Sequence, residues 1–288
     1  APEDLSLVKG DPATRRRFLD DSVSSRNPVF ASVIADYERV VKQRSALLKS
    51  ARSSGNRSAL ESTLDVWDTQ LVELGVTIML ARRSLVAAID APLRAGYAAI
   101  VQHDHQPRIT LTESVAQVFE KHNVSRETTA QISSLAPKAP KTLVLAAEEP
   151  SVLGGGGDVS RETLIGEFRD ALLRVRRQEF DRGTTLIGPH RDDALFELNQ
   201  LPVKGYASHG ESWSFALALR LSIATLLRDE LPSGDPVIIL DDVFAELDVL
   251  RREALMAEVS KFEQVIVTAA VEEDLPEGDW HRIRIKSG

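Results

Sequence analysis

At 288 residues, 43% of them hydrophobic, the chain has room for one large or two modest domains with packed cores. It has no uninterrupted apolar run of about 18 residues, no charged-then-apolar leader at Ala1 and no cysteine, which excludes a membrane-spanning helix and a disulfide framework and makes the cytoplasm the expected location, away from any membrane. The net charge of −8, from 35 basic and 43 acidic residues, excludes an overall electrostatic grip on nucleic acid, so any such contact must be a local patch.

One such patch is predicted near the start, where residues 1–60 hold eleven basic against seven acidic side chains. Lys42, Arg44 and Lys49 are its candidate phosphate contacts, and the same charges also fit a solvated helix face. Phe30, Val33, Tyr37, Val40 and Leu47 step by three and four residues, so a long helix should begin near Pro28 and fray over residues 50–58. A second helix returns with a heptad seam of Leu64, Leu71, Ile78 and Leu85, with Trp67, Leu74, Ala81 and Ala88 between, and the pair should form an antiparallel arm. Trp67 reads as core in this pattern.

Beyond Pro92 the periodicity weakens. A strand is expected over 108–111, a helix over 113–122 and a strand over 142–147, with loops at 136–141 and 149–158. Gly154–Gly157 lacks a following lysine and reads as a flexible linker, and GxxxxGK with Ser or Thr occurs nowhere in the chain. From 160 to 180, Leu164, Phe168, Leu172 and Val175 mark a helix whose Arg174, Arg176 and Arg177 lie on or beside its exposed face. Those arginines are a second, weaker DNA candidate. A TTLI strand at 184–187 should then break at Gly188, Pro189, His190 and Arg191 before an alternating strand over 194–199. In that turn His190 and Arg191 have Asp192 and Asp193 as neighbours to pair with.

The last third carries the chemistry. Ser208, His209, Gly210, Glu211 and Ser212 open an apolar-periodic helix running to about residue 227, with Ser208 or Ser212 as cap, a glycine that lets a ligand approach, and free N–H groups that favour phosphate. After a turn-rich break at 232–236, Val237, Ile238, Ile239 and Leu240 suit a strand buried on both faces that stops at Asp241 and Asp242. Carboxyl edges are where open α/β sheets bind ligands. One carboxylate there can hold Mg²⁺ through its waters, and a second can orient the water that attacks a γ-phosphate; a strand followed by an acidic helix cap fits the same residues.

In order, the capped SHGE helix, the strand ending in two aspartates and Glu246-Leu247-Asp248 resemble the signature helix, Walker B strand and D-loop of ABC-type ATPase heads. Within that superfamily SHGESWSFALALRLS at 208–222, PVIILDDVFAELDVLRRE at 236–253, TTLIGPHRDD at 184–193 and APEDLSLVKGDPATRRRFLDD at 1–21 resemble the RecF family of bacterial recombination and replication-repair ATPases. These segments cover both ends of the chain and leave its middle weakly matched.

The resemblance implies an α/β fold: part of an ABC-type ATPase head, with a P-loop NTPase-like sheet, joined to a mainly helical arm. Residues 1–27 and 179–288 would belong to the head and 28–178 to the arm. In RecF-like proteins a segment like 1–21 follows a large amino-terminal part of the head, so the chain is expected to lack the loop that grips ATP and to be inactive alone. It further implies ATP and Mg²⁺ as cofactors of a slow, DNA-dependent ATPase. Asp241 would hold the metal, Asp242 would position water, Ser208 and Gly210 would meet the γ-phosphate bound by the other subunit, Glu211 would belong to the same cofactor-binding set, and Asp248 would lie at the dimer seam. His190 and Arg191 would couple nucleotide to DNA. Two departures imply slow turnover: Asp242 stands where a longer glutamate is usual, and Ala269 follows the 264–268 strand where transporter heads place a histidine. The implied role is ATP-dependent homodimerisation on DNA at gaps and single-strand to double-strand junctions, in DNA repair, replication, recombination and the SOS response, with the RecR and RecO mediators, to aid RecA loading. A structural head of the SMC or cohesin type predicts a longer arm than these about three to four heptads. A nucleotide-independent interaction fragment is the third reading.

Overall fold

The computed structural model describes residues 2–54, 58–120, 160–232, 234–271, 275, 278 and 280–284. The strand expected at 142–147, the loops at 136–141 and 149–158 and the Gly154–Gly157 linker lie outside the described residues. The chain divides into two compact units, residues 1–32, 81–111 and 193–288 in the first and 33–80 and 112–192 in the second. The expected boundaries fell after 27 and 178.

The second unit is helical. Helix α3 (Phe30–Ser54) from Val33 onward and helix α4 (Ser58–Val101) as far as Leu80 lie here, with α5 (Arg161–Arg182) and a short helical stretch over 114–120. α3 and α4 run antiparallel: Tyr37 lies beside Gly75, Arg44 bonds Asp68, and Leu48 and Ala51 cluster with Leu64, so numbers rise on one helix as they fall on the other. Gly75 is small for a reason, since a Cβ there would stand 2.6 Å from the Phe168 ring of α5. Leu64, Leu71 and Ile78 are buried as the heptad reading requires, but Trp67 and Leu74 are only half-buried. Val72, Val76 and Met79 fill the second stripe, because α4 has neighbours on more than one side and uses a wider face than a two-stranded seam.

A buried ion network ties the three helices together. The Arg44 guanidinium donates to Asp68 at 2.6 Å, to both Glu179 oxygens at 3.0 and 2.6 Å and to the Thr185 hydroxyl at 3.0 Å. Burial opposes the Arg44 charge, but the bonds and charge of Glu179, then Asp68, outweigh it and hold its pKa above the ordinary value. Arg176 reaches the same Asp68, so it is half-buried in this network and not free on the α5 surface. The TTLI segment is irregular rather than a strand. Its backbone finds side chains in place of a sheet partner: Leu186 N–H bonds Glu179 and Thr185 N–H bonds Ser45.

In the first unit, α1 (Pro2–Lys9) and α2 (Pro12–Arg26) pack near the helix α6 (His209–Glu230). α2 has Pro12 in its first turn, where a missing N–H costs nothing. Strands β1 (Arg108–Thr112), β2 (Asp193–Leu198) and β3 (Leu201–Pro202) form one sheet in that order, and Asn199 and Gln200 at positive φ close the β2–β3 hairpin. β2 alternates as its sequence demands, Ala194, Phe196 and Leu198 inward and Leu195 outward. Phe196 stacks on Phe215 of α6 at 5.3 Å. The first-unit part of α4 continues through Pro92 to Val101, because Leu93, Tyr97 and Ile100 are buried and offset the lost backbone bond. Arg15 and Arg82 clamp Asp193 and Asp20 bidentately at 2.8 Å.

The second sheet has two parallel strands, β4 (Ile238–Asp241) and β5 (Val265–Thr268), joined through α7 (Val249–Val259). The expectation of burial on both faces of β4 is corrected: Ile239 is 64% and Val237 49% exposed, and Ile266 of β5 is 43% exposed, because no described element covers that face.

Candidate nucleotide site

Three element ends carry the candidate residues, all in the first unit. The first is the carboxyl end of β4. The Thr268 hydroxyl at the end of β5 donates to the Asp241 carboxylate, and the Thr268 carbonyl accepts from Asp242 N–H at 3.2 Å. Both aspartates are exposed. Asp242 sits at φ +53°, the left-handed region that non-glycine residues enter at a cost, and aspartate is among the side chains that tolerate it best. The strand end therefore fixes one carboxylate through β5 and turns the other out of the strand line.

The second is the start of α6. Ser208 is the cap, not Ser212: its hydroxyl accepts from Glu211 N–H at 3.2 Å while the Glu211 carboxylate accepts from Ser208 N–H at 2.8 Å, a complete capping box. Ser212 is buried and bonds back to the Ser208 carbonyl. Hydrogen bonds to the Glu211 carboxylate from the Ser208 side chain and then from the Ser208 backbone N–H, followed by the charges of His105 and Arg251, hold the Glu211 pKa below its ordinary value against the burial that opposes them. The first N–H groups of the helix have no intrahelical partner.

The third is the start of α7, capped by Asp248, whose carboxylate accepts from Arg251 N–H at 2.9 Å. The same carboxylate pairs with the Arg251 guanidinium at 3.0 Å, and that guanidinium lies against Gly210. Glu246 reaches His209 at 3.3 Å. Trp213 also donates to the same His209 nitrogen at 3.0 Å, so the two contacts ask for opposite proton states of Nε2; the indole bond is the shorter and has a fixed donor. Thus Ser208, Gly210, Glu211 and Asp248 are brought together. Arg251, Thr268 and the Tyr97–His105 pair behind Glu211 were not foreseen; only the Asp248-to-Arg251 spacing of three carried a signal.

Magnesium takes one or two carboxylates and otherwise waters and phosphate oxygens. The exposed oxygens of Asp241 and Asp242 fit that demand, and no group of three or more His, Cys, Asp or Glu poised to hold a metal occurs among the described residues.

The other candidates lie in the second unit. Arg44 is 0% exposed with its donors engaged by Asp68, Glu179 and Thr185, which corrects its place among the DNA contacts. Lys42 and Lys49 are exposed on α3, as are Arg174 and Arg177 on α5, where Arg174 lies over the Phe119 ring at 4.8 Å. His190 pairs with the Tyr37 hydroxyl at 2.8 Å, and Arg191 donates to the Thr185 carbonyl; Asp192 accepts from Ser114 and Asp193 from Arg15. Among the described residues no helix is long and apolar enough to cross a membrane.

No family model matches the chain. It is similar in fold to two solved structures of the recombination mediator protein RecF in the RecFOR pathway. One is described as RecF-ATP (TM-score 0.70, 21% identity, 95% of this chain and 61% of that one) and the other as RecF-ATPrS (0.71, 22%, 97% and 63%). Curated proteins called DNA replication and repair protein RecF are closer in sequence. That of Clavibacter sepedonicus is 48% identical over 96% of this chain and 63% of its own length, and that of Leifsonia xyli 50% identical over 100% and 68%. The chain thus spans about two thirds of the length of these relatives, and at half its positions identical to one of them from end to end it belongs to the RecF family of DNA replication and repair proteins.

Proposed function

We propose that this chain supplies the signature helix, the metal and water carboxylates and the seam of an ATP-dependent dimerising clamp, acting on DNA at gaps and single-strand to double-strand junctions. The observation that carries this reading is the junction of the Ser208 cap of α6 with Asp248 of α7, in the same unit as the Asp241–Asp242 strand end. The head role falls on the first unit and the arm on the second.

The first turn of α6 offers its N–H groups, with the Ser208 hydroxyl beside them, to a γ-phosphate bound by the partner subunit. Asp241, steadied by Thr268, would hold Mg²⁺, which would supply positive charge to offset that on the transferred group. Asp242 orients the attacking water from its turned-out position. Aspartate reaches less far than glutamate, so turnover is slow and ATP acts as a switch. The clamp works in the cytoplasm with the RecR and RecO mediators to aid RecA loading, and His190 and Arg191 belong to the path between nucleotide and DNA.

Sedimentation of the intact protein tests this reading: it should be monomeric without nucleotide and dimeric with ATP and Mg²⁺, whereas a protein monomeric under both conditions would refute it. DNA contact is assigned to Lys42 and Lys49. Changing both to Gln should weaken binding to unrelated sequences alike and flatten the dependence of log K on log salt by about two phosphate contacts; an unchanged slope would return α3 to a solvated face.

A further inference from the structure

The junction of α6 and α7 holds a side chain that the proposed chemistry does not use. Arg251 is anchored twice to Asp248, by its backbone N–H at 2.9 Å and its guanidinium at 3.0 Å. The guanidinium then covers Gly210 so closely that a Cβ on that residue would stand 2.5 Å from Nη1, 3.2 Å from Cζ and 3.3 Å from Nη2. Gly210 lies inside α6 and is not among the positive-φ glycines, so it contributes space here rather than backbone freedom. A cation at a helix start is opposed by the helix dipole. Arg251 is therefore held there by carboxylates, Asp248 in direct contact and Glu211 through its charge.

We propose that Arg251 is a positioning residue that clamps Asp248 onto the first turn of α6, so that the seam carboxylate and the Ser208 phosphate contact meet a partner subunit as one surface. The inference rests on the dimer function above. Gly210 serves the clamp by admitting the guanidinium, and Ser208, two residues before it, takes its place from the same turn.

The test is a double-mutant cycle in the intact protein: Arg251→Ala, Gly210→Ala and both together, with ATP-dependent dimerisation followed by sedimentation, monomer ATP binding by fluorescence titration and thermal midpoint in parallel. Each single variant should weaken dimerisation by about tenfold or more, and the double variant should be no weaker than the worse single one; monomer ATP affinity should be unchanged in Arg251→Ala. Gly210→Ala should not lower the midpoint, since alanine favours a helix, so its loss of assembly is not a loss of folding. Arg251→Lys should not restore assembly, because an ammonium lacks the planar fork that spans Asp248 and Gly210. Normal dimerisation of Arg251→Ala, or additive losses in the cycle, would overturn the clamp. A wild-type protein that stays monomeric with ATP would overturn the function beneath it, and the clamp with it.

Discussion

Arg44→Ala should destabilise the helical unit by about 3–5 kcal/mol, because removing one partner of a buried ion pair leaves the other charge uncompensated. Glu179 is 0% exposed, and without Arg44 its carboxylate keeps only the Leu186 N–H among the bonds described. Asp68 retains Arg176. The loss should therefore be smaller in Arg44→Met/Glu179→Leu, where both charges leave and apolar side chains fill the space. Chemical denaturation monitored by helical circular dichroism measures both. A loss under about 1 kcal/mol for Arg44→Ala would mean that water reaches Glu179 and that the network is not a buried one.

Asp241→Asn in the intact protein should reduce ATP hydrolysis on the order of a hundredfold or more, since the substitution removes the charge that holds the metal at the transferred phosphate. Asparagine keeps the size and can still accept from Thr268, so the strand end should remain folded. Asp242→Asn should lose hydrolysis similarly while retaining ATP-dependent dimerisation, which separates water positioning from assembly. Phosphate release by this chain alone should be negligible, as no phosphate-gripping glycine loop with its lysine occurs in it. Hydrolysis by Asp241→Asn within twofold of wild type would place the metal elsewhere.

Local signals made much of this architecture legible. Ser208 followed three residues later by Glu211 announces a capping box, and the structure contains it; the alternation of Ala194, Phe196 and Leu198 and the seven-residue step of Leu64, Leu71, Ile78 and Leu85 likewise report burial directly, while Trp67 and Leu74 between them are only half-buried. What stayed illegible depends on partners far along the chain. A run of basic residues in α3 cannot show that Arg44 meets Glu179, 135 positions away, while Lys42 and Lys49 remain in solvent. TTLI has strand-like composition, yet its N–H groups are taken by Ser45 and Glu179, which no local pattern encodes. The apolar run of β4 suggested two buried faces because hydrophobicity reports what a strand can bury, not which elements are there to cover it. Arg251 was overlooked since its meaning lies in the empty space above Gly210.

The central claim is that the start of α6 acts across a dimer, and Ser208→Arg tests it most directly. The bulky cation would occupy the place where the Ser208 hydroxyl meets the opposing phosphate, while each monomer grips its own nucleotide elsewhere. Fluorescence titration of the intact protein should show ATP binding nearly unchanged, and sedimentation should show no ATP-induced dimer. A Ser208→Arg variant that dimerises normally with ATP would reduce the capping box to an ordinary helix start and contradict the account.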